Sequence, residues 1–407
     1  MDGEAITAEF SPGSVVGGKY RVDGVIGDGG LGVVLKAWHQ QLDQPVAIKV
    51  LKPEAAARPG VVERFLREAR LSARIKNEHA VKVHDVGESE SGVPYMVMEY
   101  LEGRDLEQVV MEAPLQVHVA IDYLLQTIEV VAEAHASGIV HRDLKPGNLF
   151  LAKRPGSTSI VKVLDFGISK VTSSDAQQRK RLTRVDERVG TPAFMSPEQL
   201  QAAPDVDARA DIWALGVVLY EFLTGKLPFD GVDVPELCAS ILTKPAVPLS
   251  AVHPDVPPEL EEVIARCLEK DRAKRYQNVA ELAQDLAQIY EGESPSRVRN
   301  IARVIGEAGH KISPPTPFPG TIELASLQPP APAAVEDRVQ AVFSDDAGAA
   351  VAELEFSSID AAYEHATTRG ANVVRCDVYD EFEGVRGRLR VTYVRSLESG
   401  HWVPQLP

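Results

Sequence analysis

The chain has 407 residues, 44% of them hydrophobic and 25% charged, with a formal net charge of −16. That composition is ordinary for about two or three globular domains, and the acidic balance argues against a nucleic-acid or anionic-membrane binder. Three widely spaced cysteines, Cys238, Cys267 and Cys376, form no Cys-x-x-Cys, so neither a disulfide framework nor a zinc site is signalled.

Met1 to Ser11 is acidic and lacks the apolar run of a signal peptide, and Asp2 before Gly3 breaks the myristoylation pattern. Residues 1–14 are expected to be an N-terminal tail. Residues 20–51 read as short strands joined by turns, rich in β-branched side chains such as Val33, Val34, Val46 and Ile48. Residues 61–75 read as a helix that places Phe65, Glu68, Ala69 and Ser72 on one face. Strand-like runs follow at Val81–Val86 and Tyr95–Tyr100. After Gly103 the pattern becomes helical. Residues 118–136 carry apolar side chains at helical spacing up to a cap at Gly138. The run Ala210–Thr224 is apolar nearly all round, as a central buried helix would be. Residues 258–270 and 278–290 add two more helices. The most apolar run, Ile212–Leu223, carries Glu221 and is shorter than the ~18 residues a membrane span needs. A cytoplasmic protein without a span is expected.

Residues 292–335 read as a flexible or semi-extended linker. Ser313-Pro314-Pro315-Thr316-Pro317-Phe318-Pro319 and Pro329-Pro330-Ala331-Pro332 leave few backbone donors, and a plain spacer is favoured over an SH3-type ligand. Residues 336–407 look ordered again. Strands are expected at Val339–Phe343, Ala352–Phe356, Val373–Val378 and Arg388–Tyr393, with a helix at Ile359–Arg369. About 70 residues suffice for a small α+β domain, and no catalytic constellation stands out there.

Six segments carry chemistry, in order. They are Gly27-Asp28-Gly29-Gly30-Leu31-Gly32-Val33-Val34, Val46-Ala47-Ile48-Lys49, Glu68, His141-Arg142-Asp143-Leu144-Lys145-Pro146-Gly147-Asn148, Asp165-Phe166-Gly167 and Ser196-Pro197-Glu198. A glycine loop alone is weak, because a dinucleotide-binding turn shares it, but here strand-like sequence follows Gly32 and no helix opens there. Lys49 stands inside an apolar strand, where an unpaired ammonium is costly, so a partner is expected. Glu68, 19 residues further on, is the candidate.

Together these segments resemble the eukaryotic-type (Hanks-type) serine/threonine protein kinases, most closely the bacterial branch, over residues 15–291. The resemblance implies an α+β, bilobal protein kinase fold with a β-rich N-lobe and an α-rich C-lobe. It implies ATP with Mg²⁺ (Mn²⁺ as an alternative) and protein substrates. Gly27, Gly29 and Gly32 would approach the phosphates, with Ile26, Val34 and Ala47 around the adenine. Met98 resembles the gatekeeper, Glu99 and Leu101 the hinge, and Asp105 the ribose-contacting acid. Lys49, paired with Glu68, would hold the ATP phosphates. Asp143 would orient or accept the substrate hydroxyl proton, and Lys145 would neutralise the γ-phosphate. Asn148 and Asp165 offer hard oxygen ligands for Mg²⁺. His141, packing on Phe166, and Asp211, Glu198 and Arg275 resemble structural positions of the family. Thr191 resembles a residue that bonds the catalytic aspartate.

Within the same resemblance, Arg142 beside Asp143 and Lys170 further on would receive an anion. Thr183, eight residues before Thr191, is the expected regulatory phosphosite, ahead of Ser173 and Ser174. Ile168 would favour threonine acceptors. Leu31 at the loop tip, Gly147, and Ser72 on the helix bearing Glu68 depart from common kinase choices without removing a catalytic group. Two other readings stay on the page. A pseudokinase or scaffold would act through residues 336–407, which are expected to bind a partner. A small-molecule phosphotransferase would have no use for Gly190-Thr191-Pro192 and Ser196-Pro197-Glu198.

Overall fold

The computed structural model describes residues 8–154, 159–165, 192–289 and 294–316, and beyond them the backbone of five strands between residues 339 and 405. Residues up to Phe318 form one compact unit and those from Pro319 onward a second.

The first unit begins with a six-stranded antiparallel sheet of β1 (Val15–Val16), β2 (Tyr20–Asp28), β3 (Gly32–His39), β4 (Gln44–Leu51), β5 (Val83–Glu88) and β6 (Pro94–Glu99), ordered β1-β2-β3-β4-β6-β5. Alternation along β3 buries Val33, Leu35 and Ala37 on one face, the signature of a half-buried antiparallel strand. One short helix, α1 (Pro53–Ala56), and one longer helix, α2 (Val61–Ser72), follow β4. Helix α2 starts from Gly60, whose φ of +72° suits glycine. It buries Val61, Phe65, Glu68, Ala69 and Ser72, the face that the sequence spacing predicts.

A three-stranded antiparallel sheet, β7 (Gly103–Asp105), β8 (Leu149–Ala152) and β9 (Ile160–Val163), lies at the edge of the helical part. The helices there are α3 (Leu106–Glu112), α4 (Val117–Ala136), α5 (Pro197–Leu200), α6 (Arg209–Thr224), α7 (Val234–Thr243), α8 (Pro258–Cys267) and α9 (Val279–Ile289). Helices α4 and α6 cross the centre of one continuous apolar core, where Ile121, Leu124, Ile128, Leu215 and Phe222 are fully buried. Burying each such side chain contributes about 1.5–3 kcal/mol. Trp213 on α6 stacks on Phe229 at 5.5 Å between ring centroids.

One expectation is corrected here. The linker expected from residue 292 does not begin there: α10 (Ser294–Glu307) is a helix packed on α4 and α9, with Ile301 and Ile305 each 1% exposed. Val298, Ile301, Ala302 and Ile305 recur at helical spacing and give the helix its buried stripe. Proline is tolerated in a helix's first turn, so Pro295 does not break it. The expected linker thus gives way, over residues 294–316, to chain that belongs to the first unit.

In the second unit, β10 (Val339–Ser344), β11 (Ala350–Phe356), β12 (Arg375–Phe382), β13 (Val385–Arg395) and β14 (Trp402–Gln405) pair antiparallel in the order β11-β10-β12-β13-β14. The strand β14 was not anticipated from the sequence. The helix expected at residues 359–369 lies outside the described residues.

Candidate active site

Register builds the site. Strand β4 lies between β3 and β6, with Lys49 opposite Val34 on one side and Met96 on the other. The Lys49 stem is thus flanked by apolar strands while Nζ reaches past the sheet. There Nζ meets Glu68 Oε1 at 3.0 Å and Asp165 Oδ1 at 2.9 Å. Burial works against the charge, but Asp165 and then Glu68 outweigh it and hold the ammonium above its ordinary pKa. Glu68 is 4% exposed, and Ser72, one turn on, is buried beside Phe65 and Ala69 without displacing it.

Above the lysine, β2 and β3 are joined by the glycine turn, closed by the Gly29 N–H donating to the Gly32 carbonyl at 2.9 Å. The glycines differ in what they need. A Cβ on Gly32 would come within 2.3 Å of the Val50 carbonyl oxygen, so the sheet itself demands glycine there. Gly27 and Gly29 meet nothing closer than 3.5 Å, so no neighbour among the described residues demands glycine there. Asp28, at the end of β2, forms an ion pair with Lys52, beyond β4, at 2.6 Å. Ala47 and Met98 are buried in one apolar cluster, with Val34, Leu101 and Leu164 partly buried against it. Ile26 is exposed. The Glu99 side chain accepts from the Lys82 N–H at 2.8 Å and from Lys162 Nζ at 2.7 Å. Asp105 caps α3, accepting from the Gln108 N–H at 2.8 Å and from Gln108 Nε2 at 2.8 Å.

The segment around Asp143 is held by a buried carboxylate. Asp211 on α6 is fully buried and accepts from the N–H groups of His141 and Arg142, each at 2.8 Å, and bonds His135 Nε2 at 2.8 Å. Burial alone would raise its pKa. The hydrogen bond and charge of His135, with the neighbouring donors, hold it below the usual carboxylate range instead. Asn148 Nδ2 donates to the Asp143 carbonyl at 2.7 Å and to Asp143 Oδ2 at 3.1 Å. Those bonds use the amide's donor and not its oxygen. The Leu164 N–H donates to the Asn148 carbonyl at 2.9 Å and so ties Asp165 to the same segment. Gln199 Nε2 adds a bond to the Arg142 carbonyl at 3.0 Å. Below, Arg275 grips Glu198 through two bonds of 2.7 and 2.9 Å, with its guanidinium carbon 5.1 Å from the Trp213 ring centre.

Lys49, Glu68 and Asp165 are therefore brought into contact, and Asp143 with Asn148. Phe166, Ile168, Lys170, Ser173, Ser174, Thr183, Gly190 and Thr191 lie outside the described residues. Sequence reasoning missed Lys52, Lys162, Gln199 and Leu164, which carry no motif of their own. Among the described residues no group of three His, Cys, Asp or Glu could hold a metal alone. Asn148 and Asp165 still fit Mg²⁺, which keeps waters and takes one or two carboxylates plus substrate phosphates. An open concavity of about 620 Å³ on α2, walled by Arg64, Arg67, Arg70 and Arg74, contains none of these catalytic candidates.

The deciding comparison is with the protein kinase domain family, whose model matches residues 20–287. The chain belongs to that family. It is 37% identical to a probable serine/threonine-protein kinase of Clostridium acetobutylicum over 302 residues, covering 73% of this chain and 44% of that one. It is 38% identical to the serine/threonine-protein kinase pkn3 of Myxococcus xanthus over 266 residues, covering 65% and 48%. The crystal structure of the Mycobacterium tuberculosis PknI kinase domain superposes with a TM-score of 0.53 at 29% identity, covering 68% of this chain and 98% of that one. The chain spans less than half the length of those two curated relatives. The β-rich first lobe and helical second lobe are those of a bilobal kinase. Among the described residues no helix is long and apolar enough to cross a membrane.

Proposed function

We propose that the chain transfers the γ-phosphoryl group of ATP to serine or threonine hydroxyls of proteins, within bacterial signalling. The observation that carries this is the Lys49 ammonium held at 3.0 Å from Glu68 and 2.9 Å from Asp165. Phosphoryl transfer needs positioning and charge neutralisation more than covalent help, and this arrangement supports both. Lys49 would grip the phosphates and Lys145 the group in flight. Asp143, steadied by Asn148, would orient the acceptor hydroxyl and take its proton. Mg²⁺, held by Asn148 and Asp165, would neutralise charge on the transferring phosphate. Ala47, Val34, Met98 and Leu101 would cover the adenine.

Arg142 lies next to Asp143, and burial lowers its pKa while Asp211 opposes that shift. An anion docked near its guanidinium would offset the cost of burying that charge. This supports autophosphorylation at Thr183 as the activating event. Isolated thiols at Cys238 and Cys267 suit a reducing compartment such as the cytoplasm. A scaffold role has no observation of its own, since Lys49, Asp143, Asn148 and Asp165 are all present. Incubation with γ-labelled ATP and Mg²⁺ tests the reading. Label is expected on phosphothreonine and phosphoserine, and label on tyrosine alone would defeat it.

A further inference from the structure

After α10 the chain runs back along α9 as Lys311-Ile312-Ser313-Pro314-Pro315-Thr316, and α9 reads it polar group by polar group. Asn278 Nδ2, just before the helix, donates to the Lys311 carbonyl at 3.1 Å. Glu281 Oε1 accepts from the Ser313 N–H at 3.1 Å. Asp285 takes the Thr316 N–H on Oδ1 at 2.8 Å and the Thr316 hydroxyl on Oδ2 at 2.6 Å. Gln288 Nε2 donates to the Thr316 carbonyl at 3.3 Å. Glu281, Asp285 and Gln288 recur every three or four residues, so they share one face of α9, with Asn278 just ahead of it. Two are buried acids: Asp285 is 1% exposed and Glu281 4%. Arg266 Nη1 donates to Thr316 Oγ1 at 2.8 Å and also pairs with Asp285 at 3.5 Å, while Nη2 lies 4.0 Å from Glu281. Neither acid takes part in phosphoryl transfer as described above, and Thr316 lies beyond the family match at residues 20–287.

We propose that Thr316 is a modification site, phosphorylated by the kinase activity argued above, on which this inference rests, and that its phosphate expels residues 311–316 from α9. In the step, the γ-phosphorus of ATP bonds to Thr316 Oγ1 while its bond to the β–γ bridging oxygen breaks. ADP leaves, and the hydroxyl proton passes through Asp143 to water. The product has no hydroxyl proton to give Asp285. It places a charge of about −1.5 to −2 against that buried carboxylate. Arg266 is the cation at the slot and is already shared by two acids, so the docked arrangement becomes electrostatically untenable. Pro317 supplies an apolar residue just after the acceptor.

The test uses the full chain. Wild type and Asp143→Asn are incubated with ATP and Mg²⁺, phosphosites are mapped by mass spectrometry, and amide exchange is followed across residues 309–318. Thr316→Glu and Thr316→Val are followed without ATP. Phosphate is expected on Thr316 of wild type and not of Asp143→Asn. The Ser313 and Thr316 amides should exchange about tenfold faster or more in the phosphorylated and Thr316→Glu chains, with a smaller gain in Thr316→Val. Phosphate on other residues with Thr316 bare overturns the site and leaves the kinase reading intact. No phosphate anywhere overturns both. Unchanged exchange in Thr316→Glu overturns the expulsion whatever the activity.

Discussion

Asp211 Oδ1 accepts the backbone N–H of Arg142 at 2.8 Å, and Arg142 holds a φ of +65°. A bulky side chain rarely adopts that left-handed backbone unless its surroundings impose it. The carboxylate also fixes the N–H of His141, so two consecutive donors ahead of Asp143 converge on one fully buried acid. Replacing Asp211 with alanine orphans both donors at about 1–3 kcal/mol each. The Asp211→Ala chain is expected to lose activity and to melt several degrees lower by circular dichroism. Wild-type melting and turnover would show that the loop does not depend on this anchor.

Glu68 and Asp165 share the Lys49 ammonium. Glu68→Gln keeps the shape and removes one charge. A charge-assisted bond contributes about 1.5–3 kcal/mol, so phosphoryl transfer should fall about 10–100-fold while the fold persists. Steady-state rates at saturating ATP check this. An unchanged rate would mean that Asp165 alone positions the lysine.

Helix α10 makes the place of truncation matter. Its Arg297 Nη1 reaches Glu129 on α4 at 2.5 Å and His79 Nε2, between α2 and β5, at 2.9 Å. His79 Nδ1 in turn bonds the Val161 carbonyl on β9 at 2.9 Å. A chain ending at residue 292 loses these bonds and the burial of Ile301 and Ile305, about 1.5–3 kcal/mol for each isoleucine. It should melt clearly lower than a chain ending at residue 318, which should match the full chain in transfer rate. Equal melting of the two truncations would remove α10 from the folded unit.

Glu221 on α6 titrates in an awkward place. Burial, with the nearby Glu107 adding to it, pushes its carboxyl up to about 7. A raised carboxyl pKa in the fold means that the folded state binds the proton more tightly. Its contribution is fully present below the ordinary value near 4.5 and is lost as pH rises through about 7. Glu221→Gln should therefore raise the melting temperature at pH 8, by about 2 °C or more, and leave it little changed at pH 4.5. Melting curves at the two pH values decide it, and a gain confined to pH 4.5 would contradict the assignment.

The catalytic spacing was legible because phosphoryl transfer demands particular groups at particular places. Lys49, Glu68, Asp143, Asn148 and Asp165 announce themselves by charge inside apolar sequence. The face of α2 was legible for the same reason, since Phe65, Glu68, Ala69 and Ser72 recur at helical spacing. Helix α10 was hidden by its setting. Pro295, Gly306 and the prolines after Ser313 outweighed a short apolar stripe at Val298, Ile301 and Ile305. The docking of residues 311–316 could not be read, because its bonds join backbone groups and the Thr316 hydroxyl to side chains on and beside α8 and α9 that look like ordinary surface polar residues. Gly32 was read as serving phosphate, while the Val50 carbonyl shows a second, internal reason for it.

Asp143, Lys49 and Asp165 are expected to act together in phosphoryl transfer. The most direct measurement is the initial rate of γ-phosphoryl transfer to a protein substrate by wild type and by folded Asp143→Asn. Loss of general-base help costs about 10²–10⁴-fold, and a fall of that size is the expected result. A wild-type rate in Asp143→Asn, with the fold intact by circular dichroism, would show that Asp143 does not serve the transfer.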